Sequence, residues 1–169
     1  IIGAAGESIY VLDKQGRITF VNPAASSMMG YDQNDLIGKN LHSIIHHSYE
    51  DGSPYPLSEC PIYQSCNSGK RHVIEKDIFW RSDDSSFPVQ YSSSPIVDEY
   101  GEIAGAVVIF EDISERLRLQ EHLEDLAHKD SLTELYNRRR FEELFIEISS
   151  NFQSEQTNCA ILWLDIDNF

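Results

Sequence analysis

The sequence predicts an α+β fold, in which an antiparallel β-sheet carries short helices on one face and is followed by a long helix. The sheet is indicated by short runs rich in β-branched and aromatic residues that are separated by turn residues. These runs occur in residues 8–22 and again in residues 71–112. The helix is indicated by the absence of Pro and Gly from Ser114 onward, with leucines spaced three or four residues apart.

The first strands form a predicted hairpin, "SIYVLDKQGRITFVN", with its turn at "DKQG". A short helix follows, because Asn22 suits the N-cap, Pro23 the first helical position and Gly30 a left-handed end. Residues 31–47 read as helical turns broken by Gly38.

A loop rich in Gly, Pro and Ser comes next, and "IYQSCNSG" can form one or two further helical turns. Three long strands in meander order then complete the sheet. The following helix is expected to break near Lys129–Ser131, and "CAILWLDID" reads as a buried strand with acidic residues at its C-terminal end.

Composition excludes several classes of function. The 169 residues suit one complete domain plus a fragment. The net charge of −15 opposes binding to nucleic acid or to an anionic membrane surface. Three cysteines without a CxxC pair favour a reducing compartment, so we expect a cytoplasmic chain. The apolar runs are too short to span a bilayer, although the parent protein could be tethered by a segment upstream.

Two successive stretches of the sequence resemble two different protein families. "DKQGRITFVNPAASSMMGY" and "SFPVQYSSSPIVDEYGEIAGAVVIFEDISER" resemble a PAS sensory domain over about residues 8–116. The closing "FEDISER" is similar to that family's Asp-Ile-Thr exit motif, with Ser114 in place of Thr. The resemblance implies the five-stranded PAS fold.

From about residue 126, "DSLTELYNRRRF" and "LDIDNF" resemble the start of a GGDEF-type diguanylate cyclase domain. The matched positions are Asp130, Leu132, Thr133, Leu135, Asn137 and Arg138. Such domains join two GTP molecules into cyclic di-GMP, with one GTP in each protomer of a dimer. The signature Gly-Gly-Asp/Glu-Glu-Phe string does not occur in these residues, so we expect this chain to be catalytically inactive. The expected division is a PAS sensor at 1–112, a helical signalling linker at 113–129 and a cyclase fragment at 130–169.

By resemblance, Mg²⁺ in the parent would be bound by the Asp165 side chain and the Ile166 carbonyl. The backbone N–H groups of Asn168 and Phe169 would face the GTP phosphates. Asp112 and Ser114 would tie the last PAS strand to the outgoing helix, and simple helix capping explains the same two residues.

The ligand sensed by the PAS domain is unknown from the sequence. Apolar residues at alternating strand positions, together with two methionines, could line a sensor cavity, and a close-packed core explains them equally well. These residues are Met28, Met29, Phe79, Val89, Tyr91, Val107 and Ile109.

A group of metal-ligand residue types lies in "HHSYEDGSPYPLSECP". His46, His47 and Cys60 are the candidates, with Asp51 beside them. Their mutual spacing is neither H-x₃₋₅-H nor CxxC, so an exposed or partly packed loop is the favoured interpretation. Two other histidines, at positions 42 and 72, are weaker candidates.

These observations predict the signal-sensing and dimerising PAS region of a bacterial diguanylate cyclase, which transmits its input through a helix. The expected partner is a second copy of the chain, bound through PAS surfaces and the seam of Leu119, Leu123 and Leu126. One alternative is a pure interaction module that senses nothing. Another is a degenerate GGDEF protein that binds or breaks down cyclic di-GMP.

Overall fold

The computed structural model describes residues 7–155 and residue 162. The chain divides into two compact units, residues 1–117 and 118–169. The first unit contains a five-stranded antiparallel sheet with the strand order β2-β1-β5-β4-β3. Its strands are β1 (Ser8–Asp13), β2 (Ile18–Val21), β3 (His72–Trp80), β4 (Ser86–Val97) and β5 (Ile103–Asp112). The predicted α+β fold is therefore confirmed.

Short helices connect the two halves of the sheet. They are α1 (Pro23–Met29), α2 (Gln33–Leu36), α3 (Leu41–Ile45), a single 3₁₀ turn (Leu57–Glu59) and α4 (Pro61–Ser68). Helix α1 begins and ends as predicted. The Asn22 side chain accepts a hydrogen bond from the Ala25 N–H at 2.9 Å, and Gly30 has a φ of 72°.

The core lies between one face of the sheet and these short helices. Tyr10, Phe79, Tyr91 and Phe110 are at most 2% exposed and supply its aromatic part. The rings of Tyr10 and Phe110 stack at 5.3 Å, as do those of Phe79 and Tyr91. Leucine, isoleucine and methionine side chains of α1, α2 and α3 close the core from the helical side.

Strand β5 corrects one expectation. Its buried residues are Ala106, Val108 and Phe110, whereas Val107 and Ile109 point to the opposite face of the sheet. Those two residues pair with Val11 and Ile9 of β1, which are also only partly buried. The assignment of Val107 and Ile109 to a sensor cavity is off by one residue, which moves a side chain to the other face.

Strand β3 contains a β-bulge that matters for the site. Ile74 pairs with Tyr91 and Asp77 with Val89, so three steps along β3 oppose two along β4. The extra residue resets the alternation of side chains, because a bulge re-aims the residues that come after it. Asp77 and Phe79 therefore share the face that carries the core.

The second unit contains most of α5 (Ser114–His128) and α6 (Arg138–Glu155). The turn between them is held by two polar residues of the GGDEF-like string. The Asp130 carboxylate accepts from the Thr133 N–H at 3.0 Å, and the Asn137 side chain donates to the Ala127 carbonyl at 2.9 Å. The break expected near Lys129–Ser131 is thus confirmed.

The predicted strand "CAILWLDID" and the four residues assigned to Mg²⁺ and phosphate lie outside the described residues. Those residues are Asp165, Ile166, Asn168 and Phe169. Within residues 7–155, no helix is both long enough and apolar enough to cross a bilayer.

Candidate functional site

A buried histidine lies between a cysteine and an aspartate inside the core of the first unit. His46 is 0% exposed, and its Nδ1 lies 3.3 Å from Cys60 Sγ. On the other side of the ring, Nε2 lies 3.0 Å from Asp77 Oδ2. The second contact is not aligned as a linear hydrogen bond, so it acts mainly through charge.

Local structure brings these residues together from three separate elements. His46 follows the last residue of α3, and His42 lies one helical turn before it, so the two rings share a side of the helix. Cys60 directly precedes Pro61, the first residue of α4. Asp77 reaches the cluster because of the bulge in β3.

Hydrogen bonds and one aromatic contact from neighbouring residues hold the three side chains in place. Asp77 accepts hydrogen bonds from the Tyr91 hydroxyl at 3.1 Å and from the Ile78 N–H at 2.8 Å. His42 Nε2 lies 3.1 Å from the Tyr55 carbonyl oxygen, and the Tyr55 ring lies 4.3 Å from the ring of His46. His42 Nδ1 is buried and has no hydrogen-bond partner.

Electrostatics favour a charged form of this cluster. Burial raises the pKa of the Cys60 thiol, but contacts with His42 and His46 outweigh it, and the pKa is lowered overall. Burial lowers the pKa of His46, but Asp77 and Cys60 outweigh it, and the pKa is raised overall. Both shifts favour a thiolate beside an imidazolium in the cluster as it stands. By contrast, burial raises the pKa of Cys66 to about 12, so this second buried cysteine stays a neutral thiol.

A small cavity adjoins the cluster. Its volume of about 10 Å³ accommodates about one water molecule. Among the residues that line it are His42, His46 and Cys60, together with Asn40 and Tyr63. The interior therefore leaves room for one small ligand beside the three side chains.

The structure corrects the interpretation of the histidine-rich segment. An exposed or partly packed loop is wrong for His46 and Cys60, which are 0% and 1% exposed. His47 lies apart, with its ring stacked on Trp80 at 5.4 Å and its Nδ1 2.7 Å from the Ser48 hydroxyl. The structure places His42, a weaker candidate from the sequence, next to His46 and Cys60, and the H-x₃-H spacing from His42 to His46 is the sequence signal for it.

The other residues assigned to a sensor cavity are core residues. Met29, Phe79, Val89 and Tyr91 are buried against one another and the short helices, and Met28 is partly buried beside them. Phe79 and Tyr91 also contact the His46 ring, at 5.3 and 6.2 Å between ring centroids. These two aromatics therefore form part of the wall around the cluster.

A second feature lies where the sheet passes into α5. Asp112 Oδ1 accepts from the Ser114 N–H at 2.8 Å, and Asp112 Oδ2 accepts from Arg81 Nη2 at 2.8 Å. Arg81 also donates from Nε to the Met28 carbonyl at 3.0 Å and lies 4.0 Å above the Phe87 ring. One carboxylate thus connects the start of α5 with the β3–β4 turn and, through Arg81, with α1.

The comparisons with known proteins agree with this architecture. The family model described as PAS domain matches residues 6–115, and the chain belongs to the PAS domain family. A partial match to the model described as diguanylate cyclase, GGDEF domain, follows at residues 127–169. Both resemblances drawn from the sequence are confirmed.

Among curated proteins, the chain is similar to the probable diguanylate cyclase DgcE of Escherichia coli (strain K12). The two are 29% identical over 169 residues, which are 99% of this chain and 15% of that protein. The cyclic di-GMP phosphodiesterase PdeB of Shewanella oneidensis (strain MR-1) is 23% identical over 167 residues, 96% of this chain and 18% of its own length. The chain therefore spans less than a fifth of either relative.

Among solved structures, a PAS domain of a protein from Colwellia psychrerythraea superposes with a TM-score of 0.54 at 22% identity. The match covers 66% of this chain and 90% of that one. At this level of identity the likeness concerns the fold alone.

Proposed function

We propose that this chain is the signal-sensing PAS region of a bacterial diguanylate cyclase, and that it controls a GGDEF domain through α5. The proposal is supported by the order of the two family matches, a PAS domain followed by the start of a GGDEF domain. The similarity to DgcE over 99% of the chain supports it further. In this proposal the PAS sensor occupies 1–112, the helical linker 113–129 and the cyclase fragment 130–169.

The observation that carries the proposal is the position of Asp112. It is the last residue of β5, and Ile113 alone separates it from α5. Because its carboxylate holds both the Ser114 N–H and Arg81, a displacement of the sheet or of α1 would act directly on the start of the helix. Asp112 and Ser114 are therefore proposed as signal relay residues.

We further propose a cytoplasmic homodimer, joined through PAS surfaces and the leucine seam of α5. Leu119, Leu123 and Leu126 are 57%, 65% and 63% exposed, and an exposed leucine row is a common site of helix pairing. A change of geometry in this dimer would bring the two GGDEF domains together or separate them.

The chemistry is assigned to the parent protein. GTP and Mg²⁺ would be bound there by Asp165, Ile166, Asn168 and Phe169 with groups from the rest of the GGDEF domain. The Gly-Gly-Asp/Glu-Glu-Phe string is not found in the 169 residues, so the chain by itself should form no cyclic di-GMP.

The alternative is a PAS interaction module in a protein that binds or breaks down cyclic di-GMP, with a degenerate GGDEF domain as a relay. The similarity to PdeB, a cyclic di-GMP phosphodiesterase, favours this alternative over functions unconnected with cyclic di-GMP. The two proposals differ in whether the parent protein makes cyclic di-GMP.

The test is a cyclase assay on the complete parent protein with GTP and Mg²⁺. We expect cyclic di-GMP to form, and we expect Asp165→Ala to abolish synthesis while the circular dichroism spectrum stays unchanged. Hydrolysis of added cyclic di-GMP without any synthesis would instead support the alternative. Synthesis that is unaffected by Asp165→Ala would contradict the assigned role of this residue.

A further inference from the structure

We propose that His42, His46 and Cys60 form a binding site for one divalent transition-metal ion, with Zn²⁺ as the best fit. Each residue offers one ligand atom, and the three atoms lie within 4.8 Å of one another. Tetrahedral zinc with ordinary bond lengths requires nitrogen–sulfur separations of about 3.6 Å. The 3.3 Å between His46 Nδ1 and Cys60 Sγ is close to that value.

The acceptor groups on the far side of each ring, the Tyr55 carbonyl for His42 and the Asp77 carboxylate for His46, select the ligand nitrogen. His42 Nε2 faces the Tyr55 carbonyl oxygen, which can only accept, so Nε2 carries the proton and Nδ1 the lone pair. His46 Nε2 faces the Asp77 carboxylate, so this nitrogen keeps its proton when a metal ion displaces the proton on Nδ1. Metal-binding histidines usually have a carbonyl or carboxylate behind the ring in this way. His46 therefore offers Nδ1 to the ion beside Cys60, and Nδ1 is also the nitrogen of His42 that is left without a partner.

An unpartnered buried nitrogen of His42 also points to a bound ligand. His42 Nδ1 is buried and makes no hydrogen bond, although a buried polar atom without a partner is costly. A metal ion bonded to Nδ1 would satisfy it. The same ion would also be bonded by His46 Nδ1 and Cys60 Sγ, which lie close together in the core.

The cavity adjoining the three residues fits the remaining coordination position. It is lined by His42, His46 and Cys60 and has room for about one water molecule. Three protein ligands with one open position are typical of zinc sites that bind a further molecule, whereas purely structural sites have four protein ligands. The site would thus accept water or hydroxide as its fourth group.

Charge and ligand type favour a divalent ion. Two imidazoles and one thiolate suit zinc and its neighbours better than Mg²⁺ or Ca²⁺, which prefer oxygen ligands. With a thiolate ligand and the Asp77 carboxylate behind His46, a divalent ion leaves the group neutral. A monovalent ion would leave one negative charge inside the core, where an uncompensated charge is expensive.

If the proposed function holds, this metal would be the input of the PAS domain, because Asp77 and Tyr91 connect it to β3 and β4 of the sheet. That step rests on the proposed function, whereas metal binding itself does not. A metal titration without GTP tests metal binding separately from the proposed function. If no metal binds, the metal site is refuted and the proposed function is not affected.

The test uses the 169-residue chain, purified under reducing conditions, treated with a chelator and titrated with Co²⁺ as the spectroscopic probe. We expect one equivalent of Co²⁺ to produce a near-ultraviolet thiolate-to-cobalt charge-transfer band and visible bands of tetrahedral coordination. One equivalent of Zn²⁺ should remove these bands and raise the melting temperature of the chain.

Variants identify the ligands. Cys60→Ser should abolish the charge-transfer band, and His42→Gln should weaken binding by more than the 10–100-fold typical of a change behind a ligand. Asp77→Asn should weaken it within that 10–100-fold range. If Cys60→Ser does not fold, His42→Gln still tests the site. His42 is less buried than His46, so its replacement should disturb the fold less.

Matched controls are Cys66→Ser and His47→Gln, which change a second buried cysteine and the neighbouring histidine outside the cluster. Both should retain the Co²⁺ bands. The proposal is overturned if the wild-type chain gives no charge-transfer band at one equivalent. It is overturned equally if the band survives in folded Cys60→Ser, or if His42→Gln binds as tightly as the wild type.

Discussion

Replacing Asp112 with Ala should destabilise the PAS domain by about 2 kcal/mol, because one carboxylate makes two separate contacts at the start of α5. The first is the hydrogen bond from the Ser114 N–H at 2.8 Å, and loss of such a helix-start contact costs about 1 kcal/mol. The second is the ion pair with Arg81 at 2.8 Å. Its side chains are 28% and 23% exposed, so solvent screening limits its contribution to about 1 kcal/mol.

Asp112→Asn separates the two contributions. The Asn carbonyl oxygen can still accept from the Ser114 N–H, whereas the ion pair with Arg81 is lost. We therefore expect Asp112→Asn to cost about 1 kcal/mol, roughly half the cost of Asp112→Ala. A double-mutant cycle with Arg81→Gln should give a coupling energy of about 1 kcal/mol with Asp112→Ala, since these two residues are in contact.

The assay is urea unfolding followed by the fluorescence of Trp80. Trp163 is replaced by Phe in every variant so that Trp80 alone reports, and the Trp80 indole donates to the Ser48 carbonyl at 2.9 Å in the folded PAS domain. Unchanged m-values are required for the comparison. If Asp112→Ala unfolds at the wild-type urea concentration, or if Asn and Ala are equally destabilising, the carboxylate does not connect the sheet to α5 as described.

Three further changes test other parts of the structure. Gly105→Ala should destabilise the sheet by about 3 kcal/mol or more, measured by thermal unfolding, because a Cβ there would overlap the carbonyl oxygen of Leu12 on β1. Asn22→Ala should cost about 2–3 kcal/mol in urea unfolding, since this buried amide makes hydrogen bonds to three backbone groups; a cost below about 0.5 kcal/mol would contradict that count. Leu123→Glu should weaken dimerisation in sedimentation by on the order of a few kcal/mol without lowering monomer stability, because this leucine is 65% exposed; unchanged dimerisation would place the interface elsewhere.

The fold could be predicted from the sequence largely because turn residues and helix caps mark its elements. Asn22, Pro23 and Gly30 mark the two ends of α1 in the sequence, and the same residues form its cap, its first turn and its left-handed end. Strand β5 shows where this reasoning ends. In "GAVVIF" every residue is apolar or small, so alternation along the strand cannot decide which face is buried.

The candidate site was only partly predictable for a different reason. The sequence shows that Cys60 and His46 are of metal-ligand type, but their burial depends on how α3, α4 and β3 pack, which no local pattern indicates. Asp77 could not be connected to them, since a bulge in β3 sets its direction. The i,i+4 spacing of His42 and His46 is visible in the sequence. It places the two rings on one side of a helix only if α3 is helical, as the structure shows.

The central claim is that α5 carries the state of the PAS domain to the GGDEF domain, and the phase of this helix tests it most directly. Each residue added to a helix rotates the C-terminal part of the chain by about 100°, so a two-residue insertion rotates it by about 200° and a seven-residue insertion by only about 20° net. We would insert two or seven alanines between Glu124 and Asp125 of the complete parent protein and measure cyclic di-GMP synthesis from GTP. The claim predicts near wild-type synthesis with seven added residues and a several-fold change with two. Equal synthesis in both variants and the wild type would contradict it.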